Sequence, residues 1–245
     1  MKNEESILNY VKEKEKVSVA EICKNLDVSE STARRKLSDL AKKGLIRRTH
    51  GGAQIIDTNN SVFNFSLRIH KNIFEKRIIA LKAANLIKEG DVVFLDGSTS
   101  TYFLAEYLNE IKNITVITNG IDTLSLLAKK GVKAVSTGGK VSEENTSVLV
   151  GNYAVDFVKT VNANICFFSC QSLGKNGEIS DCYIEENHVR KAMIAQSQKT
   201  VLLCDSTKLN RTSPYKLCNA RDIDYIVTDK PLDDYLSEPD KCNLI

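Results

Sequence analysis

The sequence predicts an α/β protein: an N-terminal winged helix-turn-helix followed by a mainly parallel α/β domain. Three observations predict this. The first fifty residues are basic and helix-periodic, and they close on a Gly-Gly turn. From about residue 76, short continuous apolar runs alternate with helical stretches. Loops of Ser, Thr, Gly and Lys then follow directly on several of those runs. Uninterrupted Val/Ile/Leu/Phe runs suit strands buried on both faces of a parallel sheet. Hydrophobic residues at 42% and charged residues at 27% of 245 exclude disordered, fibrous and disulfide-stapled classes. No apolar run approaches the roughly 20 residues of a membrane span. The start Met1-Lys2-Asn3-Glu4-Glu5 has no apolar signal core, so a cytoplasmic protein with no membrane partner is expected.

Charge separates the two parts. Residues 1–50 hold 12 Lys/Arg against 8 Asp/Glu, whereas the rest of the chain holds 22 against 23. Within 31–50, seven basic residues stand against Asp39 alone. An anionic partner is expected for the first part only.

Ile7, Leu8 and Val11 predict a first helix over about 3–14. Ser18 and Glu21 have capping-box spacing for a second helix, with Ile22, Cys23 and Leu26 on its inner side. Asp27-Val28 makes a turn, and Ser29 caps a third helix running to about Lys43 before Gly44. Ala33, Leu37 and Leu40 form its core stripe, and the opposite face carries Ser31, Arg35, Ser38, Asp39 and Lys42. Leu45-Ile46-Arg47-Arg48-Thr49, then His50-Gly51-Gly52-Ala53, predicts a strand, a tight turn and a return strand. This pattern suits duplex DNA. Ser29, Ser31, Thr32, Arg34, Arg35 and Ser38 are the expected contacts from the helix, where hydroxyl and guanidinium donors meet base edges in the major groove. Arg47, Arg48, His50, Gly51 and Gly52 are the expected wing contacts to the phosphates. A small interaction module with a solvated basic face is the alternative.

We read residues 1–57 as the DNA-binding domain, 58–75 as a linker and 76–235 as an effector domain. In the last, Ile78, Ile79, Ala83, Leu86 and Ile87 predict a helix ended by Gly90. Strands follow at 92–95, 114–117, 134–135, 165–168, 201–204 and 225–227, with helices at 102–109, 121–130 and about 185–197. Such sheets bind ligands at the carboxyl ends of their strands. Asp96-Gly97-Ser98-Thr99-Ser100-Thr101, Thr118-Asn119-Gly120, Thr137-Gly138-Gly139-Lys140 and Asp205-Ser206-Thr207-Lys208 all fall there. Each alone is an ordinary capped turn, whereas four together offer the hydroxyls, glycines and lysines that a sugar phosphate needs. No Walker sequence and no Gly-x-Gly-x-x-Gly is present, so no nucleotide cofactor is expected. Seven scattered cysteines without a Cys-x-x-Cys pair predict reduced thiols and no metal site.

Residues Val28-Ser29-Glu30-Ser31-Thr32-Ala33-Arg34-Arg35-Lys36-Leu37, with Leu40, Gly44-Leu45 and Arg48-Thr49-His50-Gly51-Gly52-Ala53, resemble the N-terminal signature of DeoR-family bacterial transcription regulators. Lys36 stands where that family commonly has an acidic residue. Residues of about 76–229 also resemble the family's effector domain, through Lys76-Arg77-Ile78-Ile79-Ala80, Gly90-Asp91, Asp96, Thr118-Asn119, Gly138-Gly139, Gly151, Lys191-Ala192-Met193 and Asp205-Ser206-x-Lys208. That domain is similar in fold to ribose-phosphate isomerases and glucosamine-phosphate deaminases. The resemblance implies that Ser98, Thr99 and Ser100 hold phosphate with Lys208 as a second cation. It also implies that Asn119 and Gly139 line the site and that Asp181 and Glu185 meet sugar hydroxyls. Ser180-Asp181-Cys182-Tyr183 replaces a Thr-Thr-Pro-type stretch of many relatives. The expected protein is a regulator of sugar metabolism, read as a repressor, acting as a dimer or tetramer on double-stranded DNA under control of a phosphorylated sugar. The rival is a sugar-phosphate isomerase or deaminase, for which Asp181, Glu185 and His188 are the acid–base candidates.

Overall fold

A computed structural model of the chain describes residues 4–14, 16–42, 46–49, 51–55, 65–232, 235 and 243–245. It divides into two compact units, Met1–Lys71 and Asn72–Ile245.

The first unit runs α1 (Glu4–Lys14), β1 (Lys16–Ser18), α2 (Val19–Leu26), α3 (Glu30–Lys42), β2 (Ile46–Thr49), β3 (Gly52–Ile55) and the short α4 (Phe65–Arg68). Ile7 and Val11 of α1, Ile22 of α2 and Ala33, Leu37 and Leu40 of α3 close on one another with Ile46 and Ala53. Leu37 is fully buried, so truncating it to Ala costs about 2–5 kcal/mol. The capping box forms as expected. Ser18 N–H donates to Glu21 Oε2 at 2.7 Å, and Glu21 N–H donates to Ser18 Oγ at 3.2 Å. Those bonds draw the Glu21 carboxyl below its ordinary pKa, the Ser18 backbone donor leading. Asp27 at φ 51° ends α2, and Thr32 N–H donates to Ser29 Oγ at 3.3 Å to start α3.

The wing hairpin also forms, with Arg48 opposite Ala53 and Thr49 opposite Gly52. One strand was not expected: β1 pairs antiparallel with β3, making a three-stranded sheet in the order β1-β3-β2. This pairing requires Gly52, because a Cβ there would lie 2.1 Å from the Val17 carbonyl oxygen. Gly44, Leu45, His50 and the Arg47 side chain fall outside the described residues. The stretch expected as linker holds α4 and the first turn of the next helix.

The second unit runs α5 (Ile73–Ala84), β4 (Val92–Leu95), α6 (Thr99–Ala105), β5 (Thr115–Thr118), α7 (Ile121–Lys129), β6 (Ala134–Ser136), β7 (Lys140–Val141) and β8 (Leu149–Val150). It continues α8 (Asn152–Lys159), β9 (Ala163–Ser169), β10 (Ser172–Leu173), β11 (Glu178–Asp181), α9 (Ile184–Ala195), β12 (Ser197–Leu203), β13 (Tyr215–Asn219), β14 (Tyr225–Val227) and β15 (Asn243–Leu244). Seven strands form one sheet in the order β15-β14-β12-β9-β4-β5-β6, and every pairing in it is parallel. Phe94, Cys166, Phe168 and Leu202 pack toward α8 and α9. Their neighbours Val93, Leu95, Phe167, Val201 and Leu203 are buried too, as helices on both faces of the sheet require.

The helix expected at 102–109 instead begins at Thr99, because Ser98 accepts from Thr101 N–H and caps it there. The small antiparallel sheets β10-β11-β13 and β7-β8 were not foreseen. Among the described residues, no helix is long and apolar enough to cross a membrane. Six cysteines are free thiols, and Cys242 lies outside the described residues. Burial pushes the Cys218 thiol up to about 12.

Candidate functional site

The third-helix segment presents an exposed polar face. Ser29, Ser31, Arg34, Arg35 and Ser38 of the third-helix segment are exposed, and Thr32 is half-buried behind them. Arg34 Nε donates to Glu30 Oε1 at 2.8 Å. An exposed pair one helical turn apart contributes only about 0.3–0.5 kcal/mol, so Glu30 holds Arg34 weakly. Arg35 has no partner among the described residues, and Arg48 stands exposed on β2. Lys36 points away from this face and pairs with Glu4 of α1 at 3.6 Å. A basic residue at that position therefore braces α1 against α3. A cavity of 640 Å³ opens between the starts of α2 and α3 and the wing turn, lined by Ser18, Val19, Cys23, Glu30, Arg34 and Gly51 among others.

In the second unit, chain order runs outward from β4 through β5 to β6 on one side, and from β9 through β12 to β14 on the other. The reversal between β4 and β9 is a topological switch point, where open α/β sheets form their ligand crevice. Ser169 closes β9 at this switch point. Its hydroxyl donates to the Leu203 carbonyl at 2.6 Å, accepts from Lys208 Nζ at 2.7 Å and lies 3.4 Å from Ser100 Oγ. Lys208 is also 3.6 Å from Asp205. Burial works against ionising Asp205, but Lys208, the Thr207 hydroxyl and Lys76 outweigh it and hold this carboxyl below its ordinary range.

Beneath this lies a cluster built on Arg190 of α9, 3% exposed. Its Nε donates to Asp96 Oδ2 at 2.8 Å, Nη1 to Asp181 Oδ2 at 3.0 Å and Nη2 to Glu186 Oε2 at 2.8 Å. Burial alone lowers the pKa of this guanidinium, yet Asp181, Asp96 and Glu186 together raise it. Asp96 also accepts from Ser98 N–H and Ser169 N–H, at 3.0 and 3.1 Å.

The expected residues therefore sort by position. Ser100 and Lys208 meet at Ser169, and Thr99 is buried in the first turn of α6. The Ser98 hydroxyl is spent on the α6 cap. Asp96 and Asp181 face Arg190 and act as braces. Glu185 is drawn off to an exposed ion pair with Lys140 at 3.0 Å. Gly138 and Gly139 turn the chain after β6 at φ 66° and 105°. Asn119 follows β5, donating Nδ2 to the Leu149 carbonyl at 3.0 Å. His188 is exposed, so the acid–base candidates Asp181, Glu185 and His188 occupy separate environments. Ser169, Arg190 and Glu186 were not foreseen. The available signal for Arg190 was a Glu186–Arg190 pair beside Val189 and Met193 on the inner side of α9. A second cavity, of 360 Å³, opens at the amino-terminal ends of β5 and β6 beside Asn109, Thr115, Lys130 and Lys133.

Known proteins share both units. Residues 4–59 match the DeoR-like helix-turn-helix domain, and residues 71–230 match the DeoR C-terminal sensor domain. The chain is 32% identical to the HTH-type transcriptional regulator GolR of Listeria innocua, over 92% of this chain and 89% of that protein. It is 34% identical to the L-fucose operon activator of Haemophilus influenzae, over 96% and 94% respectively. The lactose phosphotransferase system repressor of Staphylococcus epidermidis is 30% identical over 92% and 90%. Among solved structures, the tetrameric eIF2B-beta2-delta2 complex from C. thermophilum shares the fold at TM-score 0.50 and 14% identity, over 84% of this chain and 64% of that one. Ribose 5-phosphate isomerase from Plasmodium falciparum gives TM-score 0.41 at 17% identity over 56% of this chain, which spans only 52% of that enzyme's length.

Proposed function

The chain belongs to the DeoR family of transcriptional regulators, and from that premise we propose that it is a cytoplasmic repressor of sugar-metabolism genes released by a phosphorylated sugar. It is a DNA-binding regulator and not an enzyme. On this reading residues 1–57 hold the operator, residues 76–235 hold the effector, and a dimer or tetramer spans repeated half-sites. Repression follows the lactose phosphotransferase relative, whose name states that sign. In the DNA-binding part, Ser31, Arg35 and Ser38 face base edges. Ser29, Thr32 and Arg34 stand beside them on the same helix segment, and Arg47, Arg48, His50, Gly51 and Gly52 meet the backbone.

The observation that carries the effector reading is the meeting of Lys208, Ser169 and Ser100 at the switch point. A cation and clustered hydroxyls there suit a phosphate ester. Thr99 and the Gly138-Gly139 turn complete that side. Asp96 and Asp181 act through Arg190, and Glu185 acts through Lys140. The ligand moves DNA affinity only through its different affinity for two conformations, typically about 1–3 kcal/mol of coupling.

The test is fluorescence anisotropy of the full chain on a duplex selected from a random pool. Arg35→Ala is expected to lose about 1–3 kcal/mol on the selected sequence and to relax specificity, whereas Arg48→Ala weakens all duplexes evenly. Addition of the effective sugar phosphate shifts the curve. Lys208→Ala abolishes that shift and leaves operator binding intact. Binding that ignores salt, or a free sugar acting as well as its phosphate, overturns the proposal.

A further inference from the structure

Asn72 holds a conformation that its own helix does not require. It is the first residue of the second unit, and it precedes α5 at φ 51° and ψ 43°. An asparagine before a helix ordinarily lies in extended backbone, with its side-chain oxygen accepting from an N–H of the first turn. Here the backbone is left-handed, a region that few residues other than glycine enter, and no side-chain cap bond is made. The amide instead reaches a loop 133 residues further on. Its Nδ2 donates to Asp205 Oδ1 at 3.2 Å and to Thr207 Oγ1 at 2.9 Å. The body of α5 is fixed independently, by burial of Ile79, Ala80 and Ala83 and by a bond from Lys82 Nζ to the Thr228 carbonyl at 3.0 Å. The loop contact therefore bears on the entry to the helix.

The far end of this contact adjoins the cation read above as the phosphate contact. Asp205 is 1% exposed and divides its two oxygens. Oδ2 lies 3.6 Å from Lys208 Nζ, whereas Oδ1 accepts from Asn72, from the Thr207 N–H at 3.2 Å and from the Thr207 hydroxyl. The charge of Lys76, one turn into α5, also acts on this carboxylate. A phosphate that engages Lys208 takes that cation from Asp205 and sets a like charge beside it. Both effects are strong where water is excluded, and both drive the carboxylate toward its remaining donors, Asn72 among them. The turn itself is pinned, because the Ser206 N–H and hydroxyl donate to Asp229 at 2.7 and 2.9 Å.

We propose that Asn72 is the relay between the effector site and the DNA-binding unit: phosphate on Lys208 tightens the Asp205–Asn72 contact and locks the left-handed turn through which the chain enters the second unit. Released from the contact, Asn72 returns to extended backbone and caps α5 at the Glu75 N–H. That change of φ re-aims the chain preceding it. One residue thus has two discrete arrangements, and such an element is what lets one site bias another. The inference rests on the sugar-phosphate reading above and adds how occupancy of that site is read out.

The experiment uses the full chain, the duplex selected from the random pool and the tightest binder among a panel of pentose, hexose and 2-amino-hexose monophosphates. Sugar-phosphate affinity is measured by isothermal titration with and without the duplex. In the wild type the two values are expected to differ by about 5–150-fold, the ordinary range of coupling between sites. Asn72→Gly keeps the left-handed backbone accessible and removes the amide. It is expected to bind each ligand separately within about threefold of wild type, while the ratio falls toward one. Hydrogen exchange over residues 72–77 slows when the sugar phosphate is added to wild type and stays unchanged in Asn72→Gly. Thr207→Val removes the second acceptor and leaves Asn72 in place, so its ratio falls partway; it carries the test if Asn72→Gly does not fold. A folded variant with the wild-type ratio refutes the relay while the phosphate reading stands. Loss of sugar-phosphate binding itself in Asn72→Gly also refutes it, since Asn72 would then belong to the pocket. If no sugar phosphate binds the wild type, the effector reading falls and takes this inference with it.

Discussion

Replacing Arg190 with methionine keeps much of its volume and removes its charge. The consequence follows from its three carboxylate partners. Asp96, Asp181 and Glu186 each lose a charge-assisted bond of 2.8–3.0 Å in a place where the guanidinium is 3% exposed. Breaking a buried pair by removing one partner costs about 3–5 kcal/mol, chiefly because the remaining charge stays desolvated. Here three carboxylates are left behind one lost cation, which places the expected loss at the upper end of that range. Whole domains are stable by only about 5–15 kcal/mol, so the variant folds with little margin.

Asp181→Asn is the control. It leaves Arg190 with two carboxylates and an amide oxygen that still accepts, so about 1–3 kcal/mol is expected. The two changes share partners and must be less than additive, with coupling of about 0.5–3 kcal/mol. Hydrogen exchange read over β4, β11 and α9 is the appropriate assay, since it assigns opening free energies to the second unit alone. An Arg190→Met loss below about 1 kcal/mol, or one no larger than that of Asp181→Asn, refutes the account of Arg190 as the brace of the site.

Two further outcomes follow from single residues. Gly138→Ala and Gly139→Ala separate backbone strain from collision: both sit at positive φ, but only at Gly139 does a Cβ meet backbone, 2.5 Å from the Val150 carbonyl oxygen. Gly138→Ala is expected to cost about 1–2 kcal/mol, and thermal unfolding should show Gly139→Ala losing clearly more; equal losses contradict the collision. Asp205 has its pKa lowered from 3.8 in the folded chain, so its contribution is complete above that value and is lost as pH falls through the lower folded value. The melting-temperature difference between wild type and Asp205→Asn should therefore be constant from pH 7 to about 4 and shrink below it, and a difference unchanged down to pH 2 sinks the assignment.

What was legible in the sequence follows from how local its cause is. Ser18, Glu21, Asp27 and Ser29 act within three or four residues of themselves, so the helices of the first unit could be placed from spacing alone. β1 could not, because Lys16–Ser18 is a strand only through pairing with Gly52–Gln54, more than thirty residues away. The parallel strands declared themselves by burial on both faces. The short β10, β11 and β13 have no such signal, since their pairing is settled by tertiary contact and interrupted by a bulge at Ile179/Ser180. α6 was placed three residues late because Thr99, Ser100 and Thr101 read as loop chemistry until burial around them outweighed propensity.

The site shows the same division more sharply. Hydroxyls and glycines after strands mark the crevice, but they do not say which polar residue faces a ligand and which holds another residue in place. Asp96 and Asp181 looked like ligand contacts, yet both carboxylates point at Arg190, a residue whose pairing with Glu186 one turn away resembles an ordinary surface ion pair in sequence. Asn119 and Asn145 pose the opposite case. Each donates its amide nitrogen inward, and each keeps one oxygen without a donor in a place that solvent does not reach. Leaving such an atom unsatisfied costs about 1–3 kcal/mol, a penalty that only a donor from outside the protein's own groups, such as a buried water, relieves. The difference between a brace and a contact is therefore a matter of which lone pairs remain after the fold has used the rest, and that count exists only in three dimensions.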